Sequence, residues 1–385
     1  DDAIRSPCRV RLKVRRMSDQ IPNDEIARTA QSTYDAFIRA PAARAWLRKR
    51  KAICFYGLNQ LARNVQIHGL QDAARTWKIP FYYVAVGTES RLEQVVAYDD
   101  VLFLTTLDHV PVLAPHMARC NGRIALIAGN YDGSPSPATV KTVTDDDARL
   151  LDEHRDYISV ALTEYSSTWA ERYYRGYVAK HGIPVMSFTW GINLVRHFPA
   201  DVAKTGDLVF AGSYFEKTPR IDDYFGPAFS KFSHTVLGFG WSSSPYGIGD
   251  VVTREFNTLA PVLYSGHTVS LNVHHAHEEA GHTCNERCFN VPACGGFMVS
   301  DYAPRIRDFF PEDEAVVADG PSDFLDKVEH FVRYPDERIP YMQKARRRVV
   351  AEHTYHHRLC DLLRFVINGD TVYDHCPVMT VPPAT

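Results

Sequence analysis

The sequence has no run of eighteen or more apolar residues, so hydropathy offers no membrane-spanning helix, and the segment from Asp1 to Arg16 has no apolar core of the kind a signal peptide carries. Neither sign of charge dominates. With 43 Lys+Arg against 46 Asp+Glu the formal net charge is −3, which gives no whole-molecule field for holding nucleic acid or an anionic surface. The eight cysteines, at 8, 54, 120, 284, 288, 294, 360 and 376, lack the dense regular spacing of a disulfide-stapled scaffold. They read as reduced thiols, and the expected location is cytoplasmic. There is no low-complexity tract and no short-period repeat.

What is present is an ordinary globular balance over 385 residues, 45% hydrophobic and 23% charged, a length that points to two domains. In residues 1–50, Ile26, Ala30, Tyr34, Phe37 and Ile38 recur at helical spacing and Pro41 interrupts, which predicts an N-terminal helical extension. Short apolar runs at 52–56, 81–86, 100–105, 123–128 and 157–162 then alternate with helical patterns. That rhythm predicts a parallel, doubly wound sheet over 51–198. After a polar stretch at 199–206 it starts again, with runs at 207–211, 232–237, 269–273, 296–300 and 315–318 and a long helix from about Glu337, which predicts a second Rossmann-like domain over 199–350. Residues 351–385 are a helix and tail.

Two stretches carry chemistry. Gly212-Ser213 leaves an apolar strand, with Lys217 and Arg220 just beyond, so backbone N–H groups and cations can converge on an anion. The second stretch, residues 272–300, admits two readings. His274, His277, His282, Cys284 and Cys288 are zinc-ligand types, as a zinc-dependent hydrolase would need, yet no second CxxC and no HExxH accompanies them, and no metal is expected. Alternatively, Asn285 and Arg287 stand ahead of a helix whose small residues Ala293, Gly295 and Gly296 allow close approach, which suits a nucleoside diphosphate.

The segment Asn285-Glu-Arg-Cys-Phe-Asn-Val-Pro-Ala-Cys-Gly-Gly-Phe297 resembles a motif of the spore-maturation-protein-like (CgeB-like) branch of the group 1 GT-B glycosyltransferases. Three further segments match that family in order: Asp207-Leu-Val-Phe-Ala-Gly-Ser-Tyr214 with Arg220, Gly238-Phe-Gly-Trp241, and His353-Thr-Tyr-His-His-Arg358. The resemblance covers residues 185–365 and implies two Rossmann-like domains facing a cleft, with the terminal helix crossing back over the first. It implies a donor site in which Gly212, Ser213 and Arg220 face the diphosphate from one loop and Asn285 and Arg287 from another. The backbone at Ala293, Cys294 and Gly295 would complete the cradle, and Asn290 and Tyr214 would meet ribose or base. Apart from the resemblance, His274, His275 and His277 follow the run at 269–273 and would line the cleft, either as loop histidines or, with His277 foremost, as contacts to the donor sugar. Two positions depart from the family: Asn290 stands where a ribose-binding Glu is usual, and His282 where many retaining relatives carry another Glu.

The implied activity is transfer of a sugar from a nucleoside-diphosphate sugar to an acceptor hydroxyl, by a metal-independent hexosyl- or pentosyltransferase without a cofactor. The acceptor is a glycan or small molecule by preference, a protein or modified nucleobase otherwise; Arg44, Arg48, Lys49, Arg50 and Lys51 form a local basic run that keeps DNA open. An inverting transfer needs a general base, for which Asp108, His109, Asp132 and Glu164 are candidates. Asp108 with His109 is preferred because the pair leaves the carboxyl end of a central strand, where doubly wound sheets bind ligands. The alternative is a non-catalytic nucleotide-binding or assembly protein on the same fold, motivated by Asn290 and His282.

Overall fold

The computed structural model describes residues 23–58, 61–127, 144–164, 181–251, 256–275, 278, 283–370 and 378–379. Its strands are β1 (Lys51–Gly57), β2 (Phe81–Ala85), β3 (Asp100–Thr105), β4 (Gly122–Ile127), β5 (Ile158–Thr163), β6 (Val185–Ser187), β7 (Gly206–Ala211), β8 (His234–Leu237), β9 (His267–Asn272), β10 (Met298–Ser300), β11 (Val316–Val317) and β12 (Val378–Met379). They form two sheets. The first has the order β12-β6-β5-β4-β3-β1-β2 and the second β11-β10-β9-β7-β8. Every pairing is parallel except that of β12, which runs antiparallel to β6.

The strands read as unbroken apolar runs because helices cover both faces of each sheet. In β1, Ile53 and Phe55 enter one core while Cys54 and Tyr56 enter the other, and in β3 Leu102 and Leu104 separate from Val101 and Phe103 in the same way. This is the two-residue period of a pleated strand. On one face Phe37 and Trp46 of the helices Asn23–Phe37 and Pro41–Arg48 pack with Leu70, Trp77 and the C-terminal Tyr355, Leu359 and Leu363. The N-terminal helices are thus built into the first core. Pro41 does more than interrupt: it opens the second helix at its first turn, where a missing N–H costs nothing.

In the second sheet Leu208, Phe210, Val269 and Leu271 pack under the helices Thr218–Phe229 and Pro321–Arg333, while Val209 faces Ala260, Tyr264 and Val291 on the other side. Helix Arg338–Glu352 leads into helix Tyr355–Leu363, which returns to the first sheet. The helical pattern past Leu363 is a π-helical turn, Arg364–Asn368, closed by Gly369 at φ +71°. β12 has no counterpart in the sequence-based expectation. Among the described residues no helix is long and apolar enough to cross a membrane.

Candidate functional site

Both sheets have their order reversed beside the first strand: chain order leads from β1 outward to β2 on one side and to β3 on the other, and likewise from β7 to β8 and β9. In open α/β sheets such a switch leaves a crevice beyond the strands' carboxyl ends, where ligands bind. Two places therefore deserve chemical scrutiny, the ends of β7 and β9 and the ends of β1 and β3.

At the second sheet's switch, Arg287 spans the two diverging strands. Its Nη1 donates to the Ala211 carbonyl at 2.8 Å, its Nε to Asn272 Oδ1 at 2.8 Å and its Nη2 to the Val273 carbonyl at 3.2 Å, with the guanidinium over the Phe210 ring. The side chain is buried. Next to it Trp241 Nε1 donates to the Gly212 carbonyl at 2.8 Å, so the loop that leaves β7 is held at two successive carbonyls. That close approach requires glycine at 238, where a Cβ would lie 2.0 Å from the Gly212 oxygen and φ is +154°. Lys217 donates to the Val273 carbonyl at 3.1 Å and lies 3.7 Å from Glu278. Burial lowers the pKa of this lysine. Burial acts to raise that of Glu278, but Lys217 and neighbouring histidines overcome it and leave the carboxyl well below its ordinary value.

Arg220 sits in the first turn of helix Thr218–Phe229 and pairs through Nε with Asp301 Oδ2 at 3.0 Å, with a quarter of its side chain exposed (25%) and none of the aspartate's. Asp301 also accepts from the His274 backbone N–H at 3.0 Å and binds His274 Nδ1 at 2.7 Å. Gly212 and Ser213 are half-buried beside this group, and Asn285 is buried with its Nδ2 donating to Val273. The structure thus brings Gly212, Ser213, Arg220, Asn285 and Arg287 to one end of the sheet. Lys217, Asn272, Glu278 and Asp301 join them. The sequence signal for Asn272 and Asp301 was their place directly at or after a strand's carboxyl end.

At the first sheet's switch, Thr105 Oγ1 donates to the Tyr56 carbonyl at 2.8 Å and ties β3 to β1. His109 lies edge-on to the Tyr56 ring, with Nδ1 2.9 Å from Thr106 Oγ1 and Nε2 3.4 Å from Asp108 Oδ2. Asp108 is 69% exposed and His109 15%. This is a carboxylate open to a ligand beside an imidazole held by its neighbours. Burial and the Glu89 hydrogen bond push the Tyr56 hydroxyl up to about 12, so it stays protonated.

Residues 228–364 match the family model described as Glycosyl transferase-like. No curated protein matches the chain by sequence. Among solved structures, sucrose-phosphate synthase from Thermosynechococcus elongatus superposes with a TM-score of 0.54 at 12% identity, over 83% of this chain and 100% of that one. HepE from Anabaena, in complex with UDP and glucose, gives 0.53 at 8% identity over 81% and 98%. The T4 phage BGT, in complex with its UDP-glucose substrate, gives 0.53 at 10% identity over 83% and 99%. The fold is GT-B.

In this GT-B chain the third and fourth resembling segments are structural devices. Ile192 pairs with Thr354, its N–H bonded to the His353 carbonyl at 2.7 Å and its carbonyl to the Tyr355 N–H at 2.9 Å. Arg358, fully buried, donates to the carbonyls of Thr189 at 3.2 Å and Trp190 at 3.0 Å. Where the two sheets' carboxyl ends meet, Arg305 donates to Ser187 Oγ at 3.3 Å.

Several expected donor contacts are placed elsewhere. Ala293, Cys294 and Gly295 end the helix Arg287–Ala293, which begins at the carboxyl end of β9 and runs back to the start of β10. There Gly295 abuts Pro199, and the Cys294 carbonyl accepts from Ser265, so these three residues stand by the strands' amino ends, the opposite end of the sheet from Arg220. Tyr214 is buried against Trp241 with its hydroxyl on Asp222 at 3.0 Å. Asn290 is buried, and neither amide atom has a hydrogen-bond partner among the described residues. Glu164 follows β5, half-buried. His277, His282 and Asp132 lie outside the described residues. The basic run stays on the surface at Arg44, Arg48, Lys49 and Arg50, and part of it also makes contacts within the fold. Arg44 caps the first helix at the Ile38 and Arg39 carbonyls, Lys51 binds the Leu47 carbonyl, and Lys49 pairs with the buried Asp100 at 2.8 Å.

Proposed function

We propose that the protein transfers a sugar from a nucleoside-diphosphate sugar to an acceptor hydroxyl, with the donor at the β7/β9 switch and the acceptor at the β1/β3 switch. The observation that carries this reading is the convergence of Arg220, the Arg287-clamped loop after β7 and the N-terminus of helix Thr218–Phe229 at one strand end. A pyrophosphate there would meet a guanidinium and a helix's unpaired N–H groups, and charge that develops on the leaving phosphate would be stabilised by about 3 kcal/mol per well-aimed donor. Arg287 acts through the loop it holds, whereas Arg220 has surface to touch the ligand. Asp108 would take the acceptor proton, with His109 beside it. Because Arg220 and the helix end supply the positive charge, the transfer itself runs without a metal ion. The Glycosyl transferase-like match and four ordered segments support placement in the spore-maturation-like branch, and two solved neighbours described with UDP or UDP-glucose make UDP the first nucleotide to try. The preferred acceptor is a small molecule or glycan, since a net charge of −3 gives no whole-molecule field for nucleic acid, and the exposed Arg44, Arg48, Lys49 and Arg50 keep DNA as the alternative.

The test is thermal stability of the purified chain in EDTA with UDP, GDP, ADP, CMP and dTDP and their common sugars, because a ligand of the native state raises apparent stability. A selective upward shift with one nucleotide, with release of that nucleotide on adding acceptor, is the expected result. No shift with any of them overturns the reading.

A further inference from the structure

We propose that His274, Cys284 and Cys288 hold a structural zinc ion beneath the donor loop. The three side chains come from different places: the turn after β9, the approach to helix Arg287–Ala293, and that helix's first turn. All are buried, and their donor atoms lie within 4.8 Å of one another. His274 Nε2 is 3.6 Å from Cys288 Sγ. Zinc with a Zn–N bond of about 2.0 Å and a Zn–S bond of about 2.3 Å separates two tetrahedral donors by about 3.6 Å, so this edge is already of the right length.

The surroundings fit as well. Asp301 holds Nδ1 of His274 at 2.7 Å, which fixes the ring and turns Nε2 toward the two thiols; a carboxylate behind a ligating histidine is the usual support of such a site. Asn272 Nδ2 points at Cys288 Sγ from 3.5 Å, the N–H contact a thiolate accepts. Asn285 Oδ1, at 3.8 Å from Cys288 Sγ, is the neighbouring oxygen for the fourth position. By contrast Cys294 lies among Val209, Ala260, Tyr264 and Val291, the environment of an inert buried thiol.

Binding would release the two thiol protons to solvent, and two thiolates would neutralise the ion, so a fully buried site carries no net charge. Nitrogen and sulfur donors in a closed site suit zinc among the common divalent ions. The ion would join the turn after β9 to the helix that carries Arg287. This role is separate from the transfer chemistry, which needs no ion at the reacting atoms.

The experiment uses untagged full-length chain made without chelator and passed through gel filtration. Elemental analysis should find one zinc per chain. Chain made in cobalt-supplemented medium should show thiolate-to-cobalt charge-transfer absorption and the visible bands of a four-coordinate ion. Cys288→Ser should lose the metal and the charge-transfer band, and Cys294→Ser should keep both. If Cys288→Ser does not fold, the cobalt spectrum of the unaltered chain decides. A folded, reduced chain that contains no zinc and takes up no cobalt overturns the proposal, as does a Cys284–Cys288 disulfide in the folded chain or stoichiometric zinc in a variant that lacks both cysteines.

Discussion

Asp108 and Asp301 each follow the carboxyl end of a parallel strand, β3 and β10, yet the first is 69% exposed and the second is not exposed at all. Exposure assigns them different work: Asp108 can meet a substrate, while Asp301 orients Arg220 and His274. Asp108→Asn should therefore reduce turnover by ~100- to 10,000-fold, the range for removing a general base, and leave the nucleotide-induced thermal shift intact. An unchanged rate would dismiss it as the base. The two arginines divide similarly. Arg220→Ala should weaken nucleotide affinity on the order of 10- to 100-fold, as for loss of a charged hydrogen bond, and should also lower the urea midpoint because the buried Asp301 loses its cation; Arg220→Lys, which keeps a cation there, should restore part of the stability. Arg287→Ala should also destabilise the chain, by about 3 kcal/mol, because it takes the guanidinium donor from the buried Ala211 carbonyl and Asn272 Oδ1, while the Val273 carbonyl keeps Lys217 and Asn285. That position 287 belongs to this region was legible from an arginine ahead of a helix with small residues. Its direction was not, since one of its partners, Ala211, is 76 residues away and nothing local says that β7 will end beside β9.

At the level of elements, the parallel strands were legible because burial on both faces writes itself as a continuous apolar run closed by glycine or a polar residue, as in Cys54-Phe-Tyr-Gly57 and Val209-Phe-Ala-Gly212. β12 was not, because two residues in a proline-containing tail become a strand only by pairing with the open edge of β6. Helix Tyr355–Leu363 was legible in period, but its depth was not. Gly69 on helix Leu61–Thr76 must lack a side chain there, as a Cβ would lie 2.0 Å from the Tyr355 ring. The same helix buries His356, whose Nε2 meets Thr76 Oγ1 at 2.9 Å. Burial pushes its pKa down to about 4, only partly opposed by Asp72. The unfolded chain has the ordinary value of about 6.5, so it binds the proton first as pH falls. Stability that is full above pH 6.5 should drain away between about 6.5 and about 4, by up to about 3 kcal/mol. Urea midpoints across that window, compared with those of His356→Gln, check it: the variant should lose part of the slope.

For the molecule as a whole, the two sheets are joined by more than the chain between them. Asp72 on helix Leu61–Thr76 accepts from Asn193 and Arg196 at 2.8 Å each, Glu25 pairs with Arg346, and Arg358 grips the carbonyls of Thr189 and Trp190. The largest tie is helix Tyr355–Leu363, which places Tyr355, Leu359, Leu362 and Leu363 in the core of the first sheet. Ending the chain after Glu352 should expose Trp77, Leu70 and Phe55 and abolish the first sheet's cooperative unfolding, while the second sheet, whose strands all lie before that point, keeps its own transition. Calorimetry of the shortened chain would show one transition where full independence of the last helix would leave the scan unchanged. A helix numbered in the 350s that completes a core begun near residue 30 also sets an order of events during synthesis. The ribosome delivers the first sheet's strands long before it delivers the piece that seals them, so the half of the protein made first must be the half finished last.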